Sequence, residues 1–184
     1  MIILLIIILL IVILAAIVIS AQRSLVHTDE LCGNALSQIG VQQTSRWDAL
    51  TALAKLTKDY SSYEYDALMT VIEKRKNIGP DSAPADVAAQ EGLMTQLTGK
   101  LVALAEAYPD LKANTVYLST MDSVNDYENK VRISRMSYND TVTRYNRLVR
   151  QFPSGIFAGM LGFSKRDYLE SDNTKSDMPF RGTI

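Results

Sequence analysis

Between Asn114 and Phe152, apolar side chains recur in alternating steps of four and three: Tyr117, Met121, Val124, Val131, Tyr138, Val142, Tyr145, Val149 and Phe152. The rhythm skips only Glu128 and Arg135, which take the two remaining positions of the same stripe. This is a heptad, the spacing that keeps one helical stripe against partner helices over many turns. Such a helix would run roughly 60 Å, where an ordinary globular helix has about 11–12 residues. It needs partners of comparable length. The feature therefore predicts an all-α chain in which long helices pack side by side.

A second feature sets where that bundle sits. Ile2 to Ile19 is an unbroken run of Ile, Leu, Val and Ala, and residues up to Ala21 bring a helix close to the ~30 Å of a bilayer's hydrocarbon core. The run exceeds the ~7–15 residues of a secretory h-region and has no Lys or Arg before it, so it reads as an uncleaved single-pass anchor. Arg23 is the basic residue nearest the anchor, on its C-terminal side, and the Lys/Arg excess of cytoplasmic flanks places the bundle on the cytoplasmic face of the inner (plasma) membrane. The expected organisation is an anchor over residues 1–22, a helical bundle over 23–170 and a tail over 171–184. That tail is polar and without period, a composition expected to be disordered. A net charge of −1 points away from nucleic acid, and a single Cys rules out an internal disulfide or a multi-cysteine metal site.

After the anchor, Leu25, Leu36, Ile39, Trp47, Leu50, Leu53, Leu56, Tyr60, Tyr63, Leu68, Val71 and Ile72 recur mostly at helical steps. The pattern predicts either one helix reaching Ile78, softened at Gly33 and Gly40, or two helices broken there. Gly79-Pro80-Asp81-Ser82 is a turn signal, and Pro84 suits the first turn of a helix carrying Val87, Met94, Leu97, Leu101 and Leu104. Tyr108-Pro109 ends it, with Asp110 the expected cap of the long helix. Phe152-Pro153-Ser154-Gly155 closes the long helix. The short apolar piece Ile156–Phe163 that follows has three open roles: capping the bundle, oligomer contacts, or touching the membrane.

Four blocks of this chain resemble the LemA family, membrane-anchored helical-bundle proteins widespread in bacteria. They are Ser37-Gln38-Ile39-Gly40-Val41-Gln42 with Arg46-Trp47-Asp48-Ala49-Leu50; Tyr63-Glu64 with Val71 and Arg75; Leu104 through Asn114; and Glu128, Arg135, Tyr138-Asn139, Tyr145-Asn146, Phe152-Pro153 and Gly162-Phe163. The first block departs from the family pattern at Gly40, at Gln43-Thr44-Ser45 and at Thr51-Ala52. The resemblance implies a LemA-like antiparallel bundle of about four helices behind a transmembrane helix, and it implies no enzyme activity.

The residues supply no catalytic machinery of their own. His27 and Cys32 would need two carboxylates to complete a zinc site, and a Cys–His nucleophile pair would need an orienting group and an oxyanion site that nothing here provides. Di-metal bundles use Glu-x-x-His pairs, and no histidine follows His27. No catalytic, cofactor or metal residues are assigned, and Cys32 reads as a small packed side chain.

The informative positions are structural ones. Glu128 and Arg135 interrupt the seam, where a buried unpaired charge is costly, so partners are expected among Arg46, Asp48, Glu64 and Arg75. Tyr138-Asn139 and Tyr145-Asn146 repeat at seven and place both asparagines on one flank. Ala16 and Ser20 offer a small-xxx-small pair for anchor packing.

The expected function is that of a membrane-anchored structural or interaction scaffold without catalysis, forming a homo-oligomer by coiled-coil-like packing and contacting other membrane proteins. The rival is a membrane-tethered sensory or adaptor bundle that binds a small ligand or partner protein.

Overall fold

The computed structural model describes residues 1–170; the expected tail at 171–184 lies outside the described residues. Six α-helices form the described chain, with no strand among these residues: α1 Ile2–Leu56, α2 Ser62–Ile72, α3 Pro84–Ala107, α4 Pro109–Lys112, α5 Thr115–Arg150 and α6 Ser154–Met160. They assemble as up, down, up, down. α1 rises out of the apolar segment, α2 and the stretch 73–80 descend beside it, α3 rises again and α5 returns as the antiparallel partner of α1.

α1 is a single helix of 55 residues, about 80 Å long. It passes through Gly33 and Gly40 without interruption, so neither glycine breaks it. The descending loop explains them instead. A Cβ on Gly40 would lie 2.1 Å from the Ile78 carbonyl oxygen, and one on Gly33 would lie 3.3 Å from Pro80 Cβ. The glycines let the loop's backbone close onto the helix. The break falls further on. Thr57 Oγ1 bonds back to the Ala54 carbonyl at 2.7 Å, a short 3₁₀ turn follows over Thr57–Asp59, and Ser61 Oγ caps α2 by accepting the Glu64 N–H. α2 stops at Ile72, not Ile78, and Tyr63, expected on its apolar face, is 79% exposed.

Asn114, not Asp110, caps α5: its Oδ1 accepts from the N–H groups of Val116 and Tyr117 at 2.9 and 3.2 Å. Asp110 lies inside α4, whose Leu111 is fully buried. α5 ends at Arg150, two residues short of what the heptad predicts, and Phe152, joined to Pro153 by a cis bond, is 78% exposed. The stripe upstream is buried at Tyr117, Val124, Val131, Tyr138, Val142 and Tyr145, and half-buried at Met121 and Val149.

The core falls into two clusters. The one farther from the apolar segment gathers Trp47, Leu50, Leu53, Leu68, Met94, Leu97, Leu101, Leu111, Tyr117 and Val124. The nearer one gathers Cys32, Leu36, Ile39, Ile78, Val87, Val131, Tyr138, Val142, Tyr145 and Leu169. After α6, Gly162 takes a left-handed φ of +82° and turns the chain back along α5. Residues 163–170 then climb that helix as an extended strap, with Leu169 buried in the nearer cluster.

Candidate functional site: a polar layer and a strap

Polar side chains occupy the level between the two clusters. Gln43 and Arg46 enter it from α1, Gln90 and Glu91 from α3, and Glu128 and Arg135 from α5. Arg46 donates to Glu128 at 2.6 Å, with only 4% of the arginine side chain exposed but 59% of the glutamate. The expectation of a buried Glu128 is therefore corrected: Arg46 is the buried member and reaches outward to it. Burial pushes the Arg46 guanidinium below its ordinary range, while Glu128 and Glu91 oppose that shift. Arg135 pairs not with the earlier helix but with Glu91 of α3, both about five-sixths buried, and also donates to the Glu170 carbonyl of the strap. Gln43 Nε2 reaches the Val87 carbonyl at 3.3 Å and Glu91 at 3.4 Å.

Asp48 and Arg75 join each other at 2.7 Å, tying the descending segment to α1. Glu64 instead occupies the first turn of α2, at the positive end of its dipole. Gln90 holds the same descending segment by its backbone, accepting from Lys76 N–H at 2.9 Å and donating to the Lys74 carbonyl at 3.4 Å. Within one turn of α1, Gln43 Oε1, Arg46 Nε and Trp47 Nε1 are buried without a hydrogen-bond partner among the described residues.

The two asparagines of the seven-residue repeat face the strap. Asn146 accepts from the Arg166 N–H and donates to the Arg166 carbonyl, both at 2.9 Å. Asn139 does the same to Leu169, at 2.9 and 2.8 Å. Tyr138 Oη donates to the Asp167 carbonyl between them, at 3.1 Å. The registers match for a simple reason: seven helical residues rise about 10.5 Å, and three extended residues span about 10 Å. Each carboxamide supplies one donor and one acceptor, replacing the partner strand that an extended segment otherwise needs.

Arg166 fastens the strap to α1, donating to Asp29 at 2.7 Å, with its guanidinium carbon 5.9 Å from the Tyr145 ring centroid. The hydrogen bond to Asp29 raises the Arg166 pKa further. Burial raises the Tyr138 hydroxyl and pushes Tyr145 up to about 12. Cys32 is fully buried in the same cluster, which raises its thiol pKa. Among the described residues no group of three or more His, Cys, Asp or Glu side chains is placed to hold a metal ion.

Sequence reasoning missed the strap. Its signal was present in two carboxamides one heptad apart beside the apolar stripe, followed by Gly162 and a Leu-bearing polar segment. The Pro153 turn and α6 lie at the other end of the same surface. Phe152, Pro153 and Ser154 share a cleft of about 600 Å³ with Ile13, Ala16, Ile17 and Ser20 of α1. The small-residue face of the anchor is thus turned toward the chain's own α5–α6 turn.

Magnetosome protein MamQ of Magnetospirillum gryphiswaldense is 26% identical over 93 residues, covering 50% of this chain and 34% of that protein. Magnetosome protein MamQ 2 of Paramagnetospirillum magneticum is 28% identical over 72 residues, covering 39% of this chain and 26% of the relative. This chain spans about a third or less of the length of these relatives. The family model for LemA matches residues 35–180, a stretch that takes in the polar layer and the strap, and on that match the chain belongs to the LemA family.

Proposed function

We propose that this protein is a membrane-anchored structural module that self-assembles through its bundle and anchor and carries out no catalytic step. The observation that carries the reading is the continuity of α1, which leaves the apolar segment and becomes the central helix of the bundle without a linker. A rod of this kind fixes the bundle's orientation relative to the bilayer. Copies confined to two dimensions then meet with their bundles already aligned, which lowers the rotational freedom lost on association. Membrane association accords with the magnetosome proteins to which the chain is similar, and the Arg23 flank favours a bundle on the cytoplasmic side of the inner membrane.

Light scattering or single-particle sizing of the full chain in mild detergent tests the proposal. A defined oligomer is expected; a strictly monomeric species overturns self-assembly.

A further inference from the structure

α6 has two unlike faces. Ser154 and Ala158, four residues apart, are buried against α1 and α5. On the other side Ile156 and Met160, again four residues apart, are 58% and 81% exposed, while Phe152 in the turn before the helix is 78% exposed and Leu161 after it 37%. Four large apolar side chains on so short a stretch are more than scattered surface residues.

Their position identifies what covers them. Phe152 and Pro153 share their cleft with Ile13 and Ile17 of the apolar segment. Ile17 lies about 6 Å and Ile13 about 12 Å below Ala21 along a continuous helix. If the hydrocarbon boundary falls at Ala21, where the run gives way to Gln22 and Arg23, the α5–α6 turn reaches the depth at which interfacial helices rest, roughly 5–10 Å into the leaflet. Exposed Arg23, Arg144, Arg147, Arg150 and Lys165 stand on the elements just beyond that level, outnumbering exposed Glu30 and Asp167 there.

We propose that α6 and the Phe152–Pro153 turn form an interfacial foot, inserted into the leaflet that α1 crosses and favouring anionic lipid. The chain then contacts the membrane at two points, and the foot holds the rod against tilting. The inference rests on the anchor spanning the bilayer, and the test separates the two claims.

The full chain is labelled with an environment-sensitive fluorophore at Ile156→Cys, Met160→Cys, Met136→Cys on the exposed face of α5, or Ile8→Cys in the anchor, and reconstituted in phosphatidylcholine–phosphatidylglycerol vesicles. Unsubstituted chain measures background labelling of the buried Cys32. Quenching at 156 and 160 by lipids bearing a nitroxide near the headgroup, with severalfold less iodide quenching than at 136, is the expected result. Iodide quenching at 156 and 160 equal to that at 136 overturns the foot, as does shielding from both quenchers, which would place α6 against protein. In both cases quenching at Ile8→Cys by lipids bearing a nitroxide deep in the acyl chain leaves the anchor standing. No lipid quenching at position 8 sinks the anchor reading and the foot with it.

Discussion

Asn139 and Asn146 stand two turns apart on one flank of α5, and each holds both backbone groups of a strap residue, Leu169 and Arg166 respectively. The heptad that positions the seam also sets the spacing of this clamp, because one helical heptad equals three extended residues in length.

Asn146→Ala removes both bonds and leaves the Arg166 N–H and carbonyl to water in a partly covered site. A loss of roughly 1–2 kcal/mol is expected from two neutral hydrogen bonds at net value. Asn146→Asp does not rescue it, since a carboxylate keeps the bond to the N–H but sets oxygen against the Arg166 carbonyl. Chemical denaturation reads the stability, and hydrogen exchange at the Arg166 and Leu169 amides should accelerate together. Unchanged exchange at Leu169 would show that the two clamps act independently.

Arg135 and Arg150 offer a matched comparison on the same helix. Arg135 pairs with Glu91, both mostly buried, whereas exposed Arg150 bonds to the Asn146 carbonyl within its own helix, at 3.3 Å. Arg135→Ala leaves a carboxylate in the polar layer without that cation and is expected to cost about 2–4 kcal/mol, near the range for breaking a buried pair. Arg150→Ala should stay within about 0.5 kcal/mol, as exposed substitutions do. Equal shifts in Tm would contradict the placement of Arg135 inside the bundle.

These residues also mark how far the sequence could be read. Periodicity located α3 and the α5 seam because an apolar stripe leaves the same trace wherever its partner lies. It placed Glu128 and Arg135 on that stripe, but not the partners, since pairing depends on which helices become neighbours. Arg46 was among the candidates for Glu128, while Glu91 sits on α3 and carries no periodic signal of its own. Gly33 and Gly40 misled for a related reason: helix propensity prices a glycine by its own chain, whereas here the cause is a loop some 40 residues later. The strap is extended, polar and held by side chains, so neither helical nor strand periodicity could reveal it.

Gly40 and Gly99 should respond to alanine with opposite signs. Both lie inside helices, where Ala is favoured by about 1 kcal/mol. At Gly99 an added Cβ meets nothing within 4 Å, so Gly99→Ala should stabilise by roughly 0.5–1 kcal/mol. At Gly40 the Cβ would sit 2.1 Å from the Ile78 carbonyl oxygen, a backbone atom that cannot rotate away. Overpacking of this kind costs about 1–3 kcal/mol and outweighs the propensity gain. Gly40→Ala should therefore lower the Tm and loosen the 73–80 segment, with faster amide exchange there. A raised Tm would mean that the loop does not close onto α1.

Three buried tyrosines predict an alkaline limit to stability. Burial raises the hydroxyls of Tyr117 and Tyr138, and it pushes Tyr145 from 10.0 up to about 12, with Asp29 adding to the shift. Tyr117 Oη also donates to the Leu101 carbonyl at 3.0 Å and Tyr138 Oη to that of Asp167, bonds that only the protonated phenol can make. The sign follows from linkage: a folded-state pKa above the unfolded one means that the folded state holds its proton longer. Stability is then fully present below about pH 10 and declines as pH rises toward about 12, because the unfolded chain ionises first. Thermal melts across that window should fall steadily, with tyrosinate absorbance at these positions rising only as the helical signal is lost. Tyr145→Phe should flatten the decline, since the phenyl ring fills the same space without a titrating group. A decline unchanged by that substitution would place the alkaline sensitivity elsewhere in the bundle.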